Sequence, residues 1–155
     1  MPDLLVKLLQ LPAMETSADN EVVVRRAQPF EVSVVRNFIQ ENFSTGWADE
    51  VSVGFSNKPI TVFVAILEQK IAGFAAYECT RRGFFGPTGV VESARGKGIG
   101  KALLLSSLWG LREMGYVYAI IGGVGPVRFY QKAVGAIVIP DSEPGIYEDR
   151  LRTSD

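Results

Sequence analysis

Apolar positions along the chain fall into short periodic runs whose spacing changes from one run to the next. Leu4, Leu5, Leu8, Leu9 and Leu11 recur at helical intervals between Asp3 and Pro12, which predicts an amphipathic helix over residues 3–11. Residues 13–20 carry Ser, Thr, Asp and Asn and read as a linker. The β-branched run from Glu21 to Arg26 predicts a first strand. Pro29 then opens a helix to about Asn42, on which Phe30, Val34 and Phe38 recur every four residues, joined by Val35 and Ile39; the aromatics are expected in the core. Phe43 to Asn57 has the weakest periodicity and reads either as a second short helix with a connecting loop or as a wall that contacts a ligand.

Two further runs, Thr61–Leu67 and Ile71–Thr80, flank Glu68-Gln69-Lys70 and predict a hairpin. Alternation in the second puts Ala72, Phe74, Ala76, Glu78 and Thr80 on one face. Phe84–Val91 is strand-like but holds Gly86, Pro87 and Gly89; proline cannot donate to a ladder, so a bulge or interruption is expected there. Gly98 to Met114 is apolar on several faces, the pattern of a centrally buried helix, and it ends at Gly115. Tyr118–Val124 predicts a strand, Pro126 to Ala136 a helix, and Ala136–Ile139 and Ile146–Leu151 the closing strands. The order is β, α, α, β, β, β, α, β, α, β, β, a mixed α/β domain. Hairpins make most neighbours antiparallel, and the long helix between strands 84–91 and 118–124 makes that pair parallel.

Composition narrows the chemistry. At 155 residues, nearly half of them hydrophobic, the chain is expected to form one domain with a packed core, residues 1–20 being an N-terminal helix and linker and 21–151 the body. The net charge is −1 with no basic block outside residues 95–101, which argues against nucleic acid as a partner. No apolar run approaches a membrane span, and residues 3–11 lack the basic start of a signal peptide, so a cytoplasmic protein is expected. Residues 3–11 are expected to pack on the domain or on a second copy, giving a homodimer. Histidine is absent, which removes Ser-His-Asp triads and His-based zinc chemistry, and the one cysteine, Cys79, reads as a small buried residue. No metal site is expected.

The chemistry concentrates in Val90-Val91-Glu92-Ser93-Ala94-Arg95-Gly96-Lys97-Gly98-Ile99-Gly100-Lys101. A strand enters, a glycine-rich turn follows, and a helix leaves with its first N–H groups unpaired, which is an anion site. The P-loop template fails because Arg95 stands where its first glycine should be and Ala102 where its Ser/Thr should be; the dinucleotide template fails at Lys101. Arg95-x-x-Gly98-x-Gly100 instead resembles the [RQ]-x-x-G-x-[GA] turn of the GNAT superfamily of acyl-CoA N-acyltransferases. Phe129-Tyr130, a few residues before Gly135, is similar to a second signature of that family at the expected separation. The resemblance spans about residues 21–151. It implies a mostly antiparallel sheet flanked by helices, with one splayed parallel pair, and acetyl-CoA as co-substrate. In this sequence the cofactor-binding positions would be Val90, Val91, Arg95, Gly96, Lys97, Gly98, Ile99, Gly100 and Lys101.

Acyl transfer to an amine needs a proton acceptor, because a free alkylamine is neutral only about once in ~2,500 molecules at pH 7. Without histidine that acceptor is a carboxylate or solvent. Glu78, on a mostly apolar strand face, is the first choice and Glu92, beside the turn, the second. The resemblance makes Tyr130 the general acid, with Phe129 filling the core. Asp49, Glu50, Glu78 and Glu148 in the segments expected around the acceptor favour a cationic primary amine, on a small molecule or a peptide. Two other readings stay open: a non-catalytic acyl-CoA-binding or regulatory module, and a protein that self-associates through Leu4–Leu11.

Overall fold

The alternating runs pair into one sheet in a computed structural model that describes residues 1–14 and 21–152. Its strands are β1 (Leu4–Lys7), β2 (Val22–Arg26), β3 (Val62–Leu67), β4 (Lys70–Tyr77), β5 (Phe84–Val90), β6 (Tyr118–Ile121) and β7 (Ile137–Val138), in the order β2-β3-β4-β5-β6-β1-β7. All neighbours are antiparallel except β5 and β6, which pair in parallel through Phe84↔Ile120 and Phe85↔Ile121. The helices are α1 (Val32–Asn42), α2 (Thr45–Ser52), α3 (Ile99–Glu113) and α4 (Val127–Val134). Among the described residues no helix is long and apolar enough to cross a membrane.

Period-two alternation divides the interior in two. Phe74 and Ala76 of β4 pack with Val35 and Ile39 of α1 and Ala48 and Val51 of α2. Ala75 and Tyr77 face the other way, onto Leu104, Leu108 and Leu111 of α3, together with Leu4 and Val6 of β1 and Tyr130 and Val134 of α4. Ala72 joins this second group, not Phe74 and Ala76 as the alternation predicts, because a register shift opposite Ala65 and Ile66 slips the pleat by one residue.

Three expectations are corrected. Residues 3–11 form a strand and a 3-10 helix (Leu8–Gln10), not an amphipathic α-helix. Leu4 and Leu8 fit both periods; burial of Val6 with them, and pairing on both edges with β6 and β7, decide for period two. Leu4 and Leu8 are therefore used inside the domain, while Leu9 stays 61% exposed. On α1 the inward stripe is Val35 and Ile39, whereas Phe30 and Val34 are 78% and 59% exposed. Four-residue spacing marks a face without saying which face turns inward. Finally, Ile146–Leu151 is not a strand: Gly145 adopts φ +65 after Pro144 and starts a 3-10 helix, Gly145–Tyr147. Of the expected linker, residues 15–20 lie outside the described residues.

Gly110 shows how closely α3 lies on the sheet. A Cβ there would stand 2.5 Å from Tyr77 Oη and 2.6 Å from its Cζ. Mid-helix glycine costs about 1 kcal/mol against alanine, and passage of the tyrosine is what requires it here. Gly110→Ala is expected to destabilise the protein by about 1–3 kcal/mol net, because overpacking outweighs the gain in propensity. A fall in the denaturation midpoint at constant m-value would measure it.

Candidate active site

The parallel pair supplies the site by separating. After Phe85 and Ile121 the two strands share no further pairing: β5 runs on to Val90, while the chain leaves β6 through Gly122 and Gly123. Gly123 has φ +58 and donates its N–H to Asp3 Oδ1 at 2.8 Å, so β1 anchors the diverging side. The wedge between is a cleft of about 630 Å3, lined by β5, the start of α3, α4, α2 and the 144–150 segment. The irregularity expected in β5 is present. Gly86 has φ +123, Pro87 offers no N–H, and the β4/β5 register shifts between Ala75 and Tyr77. The Val91 N–H donates to Ala72 O at 2.9 Å, so antiparallel alternation turns the N–H groups of Val90 and Thr88 away from β4, toward the side that β6 has vacated.

The glycine turn closes one end of this cleft. A short 3-10 helix, Glu92–Ala94, leads to extended Arg95, then Gly96 at φ +85 and Gly98 at φ +77. Gly98 caps α3 without a side-chain bond, and the first helical bond found at this end is from Ala102 N–H to Gly98 O at 3.1 Å. The N–H groups of Ile99 and Gly100 therefore have no acceptor within the helix, beside the positive end of its dipole. Gly96 and Gly98 are required by their left-handed backbone. Gly100 is not: a Cβ there would meet nothing nearer than Phe129 Cζ and Val90 Cγ2, both at 3.9 Å. Protein packing leaves this position room for a side chain, yet it stays bare and lines the cleft.

The residues singled out in the sequence are thus partly assembled. Val90, Gly100 and Tyr130 line the cleft; Val91 spends its N–H on β4, and Ile99 points its side chain into the core. Arg95, Gly96 and Gly98 are exposed along the turn, with Lys97 and Lys101 half-buried. Glu92 is exposed in the 3-10 helix.

Phe129 and Tyr130 exchange the burial expected of them. Phe129 is 38% exposed at the cleft mouth, and Tyr130, at 5%, is the one in the core, its ring against Phe85 and Phe129 at 6.4 and 5.0 Å between centroids. No buried polar side-chain atom lacks a partner among the described residues, so the Tyr130 hydroxyl, which bonds no protein group, opens into the cleft. Burial pushes its pKa up to about 12.

Glu78 is not in the cleft. It has left the strand with φ +59, and its carboxylate accepts from Tyr116 Oη and from the Gly83 N–H, each at 2.7 Å, beside a separate recess. Asp49 pairs with Arg36 at 3.1 Å, and Glu148 is exposed outside the lining. The carboxylate that does enter is Glu50. Among the residues lining the cleft it is the one acid, and Arg150 the one base. Ser44 caps α2 by accepting from the Trp47 N–H; Ala48 and Val51 take the inner face, which turns Trp47 and Glu50, three residues apart, to the cleft. Thr80 Oγ1 donates to Glu50 Oε2 at 2.5 Å, and Tyr147 Oη donates to both carboxylate oxygens at 3.3 and 3.4 Å. The Tyr147 phenol is raised first by desolvation and then by the Glu50 charge. The Trp47/Glu50 spacing was the signal in the sequence, masked by the short length of the helix.

Residues 58–133 match the family model described as an acetyltransferase (GNAT) domain. No curated protein sequence matches the chain. Among solved structures it is similar to the GCN5-related glucosamine N-acetyltransferase region of a fungal multi-domain GH3 β-N-acetylglucosaminidase, at TM-score 0.72 and 17% identity over 89% of this chain and 19% of that one. A GCN5-related N-acetyltransferase from Sphaerobacter thermophilus matches at TM-score 0.68 and 21% identity over 89% and 48%. A GNAT family acetyltransferase from Brucella melitensis, solved with acetyl-CoA, matches at TM-score 0.55 and 22% identity over 72% and 82%. The chain spans less than half the length of the first two, and at these identities the likeness is one of fold. The glycine turn, the splayed parallel pair and the family model all fall on the same segment, so residues 58–133 of this chain carry a GNAT acetyltransferase domain.

Proposed function

We propose that the chain is an N-acetyltransferase that moves an acetyl group from acetyl-CoA to a primary amine by direct attack in a ternary complex. The observation that carries this reading is the arrangement along one cleft. Outward-turned N–H groups of β5 and a bare Gly100 at a helix start lie toward one end; a hydrogen-bonded carboxylate, Glu50, lies toward the other. The helix-start N–H groups, with Arg95 and Lys97 adding charge, would hold the diphosphate, and the free N–H edge of β5 the pantetheine arm. Acetyl-CoA supplies the activated acetyl group as a thioester.

The protein's own groups cover the remaining needs. Glu50 holds the incoming ammonium and takes its proton, directly or through a water; Thr80 and Tyr147 keep the carboxylate oriented. The Val90 N–H donates to the acetyl oxygen as it gains charge, a contribution of roughly 3 kcal/mol per donor at comparable sites. Tyr130 supplies a proton to the departing sulfur. A lone carboxylate between the aromatic rings of Trp47 and Tyr147 favours a cationic amine with an apolar body as acceptor.

The test is thiol release with a panel of amines, run on wild type and Glu50→Gln. The amide keeps the shape and loses the charge, so kcat/KM for the acceptor should fall about 100-fold with CoA affinity unchanged. Wild-type kcat/KM in this variant would remove Glu50 from the mechanism. Tight CoA binding without thiol release from any amine would leave a non-catalytic acyl-CoA-binding module.

A further inference from the structure

A second recess of about 470 Å3 lies at the opposite end of α3, bordered by the ends of β2 and β4, the 57–61 loop, and Gly110 and Glu113 of α3. Its wall holds a guanidinium without a counter-ion. Arg26 Nη1 donates to Tyr77 Oη at 2.6 Å and to Ile60 O at 2.7 Å, while its Cζ lies 4.8 Å from the Phe63 ring centroid and 5.7 Å from that of Tyr77. These contacts fix the plane of the group and use one nitrogen. Nη2 and Nε have no hydrogen-bond partner among the described residues, and Arg26 takes part in no ion pair there. A half-buried cation held by neutral acceptors alone is an unbalanced charge. Neither acid at this recess pairs with Arg26: Glu78 accepts from the neutral Tyr116 and Gly83 donors, and Glu113 is exposed, so the lining holds two acidic residues against Arg26, Lys58 and Arg82. Lys58 and Arg82, both exposed, stand on its rim and add two more positive charges.

We infer that this recess is a binding site for a compact oxyanion, a phosphate or a small carboxylate, taken by the free Nη2/Nε edge of Arg26 with Lys58 and Arg82 closing over it. A planar guanidinium presents that edge as a fork that matches two oxygens of one anion, and here the fork is held in place before the ligand arrives. The site is separate from the diphosphate turn, which lies at the other end of α3. The segment that carries Arg82 also carries Thr80, the donor to Glu50, so an occupant of the recess is two residues of backbone from the acceptor end of the cleft.

Calorimetric titration of the full chain with sodium phosphate and with sodium malonate, at ionic strength held constant with chloride, tests the inference. Four proteins are compared: wild type, Arg26→Gln, the double variant Lys58→Ala/Arg82→Ala, and Gly100→Val, in which the diphosphate turn is blocked. Saturable binding of at least one anion is expected in wild type and in Gly100→Val. Loss of the two rim charges should weaken it about 10-fold, and Arg26→Gln should abolish it. The rim residues are exposed, so the double variant decides the matter if Arg26→Gln does not fold. Absence of saturable binding by either anion, equal binding by wild type and the double variant, or binding lost only in Gly100→Val would each overturn the site. Failure of CoA to bind wild type would count against the acetyltransferase reading and leave this result untouched.

Discussion

Gly100→Val is expected to abolish CoA binding at ordinary concentrations while the protein stays folded. Gly100 sits in the first turn of α3 without a left-handed φ, so valine is not strained there, and its Cβ would find ordinary van der Waals distance to Phe129 and Val90. Replacing a helical glycine gains a few tenths of a kcal/mol, so the thermal midpoint should hold or rise slightly. The branched side chain would instead stand where phosphate oxygens would approach the N–H groups of Ile99 and Gly100. Loss of two charge-assisted hydrogen bonds, about 1.5–3 kcal/mol each, corresponds to roughly a 100-fold or greater loss of affinity. Gly98 is a poorer choice: at φ +77 any side chain there strains the backbone, and lost binding could not be told from a distorted turn. Calorimetry with CoA and a thermal melt on the same Gly100→Val sample are sufficient. Unchanged affinity in a folded variant would place the diphosphate elsewhere.

What could be read in advance follows from how local each signal is. The segment from Val90 to Lys101 is legible because its geometry comes from glycine φ angles and a helix start, which need no distant partner. The β3/β4 hairpin and the irregular β5 are legible for the same reason, since proline removes a donor whatever surrounds it. Errors arise where a pattern fits two answers and tertiary pairing chooses. Leu4 and Leu8 suit a helix or a strand, and the free edges of β6 and β7 select the strand. Phe30 and Val34 mark a helical face that turns outward because Val35 and Ile39 meet Phe74 and Val64. In the sequence Glu50 is one of four acids expected around the acceptor, and Glu78 stands ahead of it as the proton acceptor. Only the packing of α2 against the sheet, and the reach of Thr80 and Tyr147, bring it into the cleft and leave Glu78 outside.

Tyr130→Phe should lower kcat about 100-fold with little change in CoA affinity, the low end of general-acid effects. Among the described residues the hydroxyl bonds no protein group, so its removal orphans no partner there and the fold should be indifferent. Burial that holds the phenol at about 12 keeps it protonated at any pH at which the enzyme works, which an acid requires. A weak acid must still match its base, and an ordinary thiol near ~8.5 would leave the transfer uphill by more than three units. Desolvation narrows the gap, because it raises a thiol as it raises a phenol; it is the largest of the effects that set the buried Cys79 thiol of this protein at about 11. A CoA sulfur shielded from water as it departs would close part of that gap, and a short hydrogen bond from Tyr130 would cover more of it. Two measurements follow. Steady-state kinetics with a CoA titration should show the fall in kcat alone, and wild-type kcat should show no falling limb from this residue below pH 10, since the acid form is lost only near 12. Full kcat in Tyr130→Phe, with chemistry established as rate-limiting by single-turnover kinetics, would make Tyr130 a packing residue and require the proton to come from solvent.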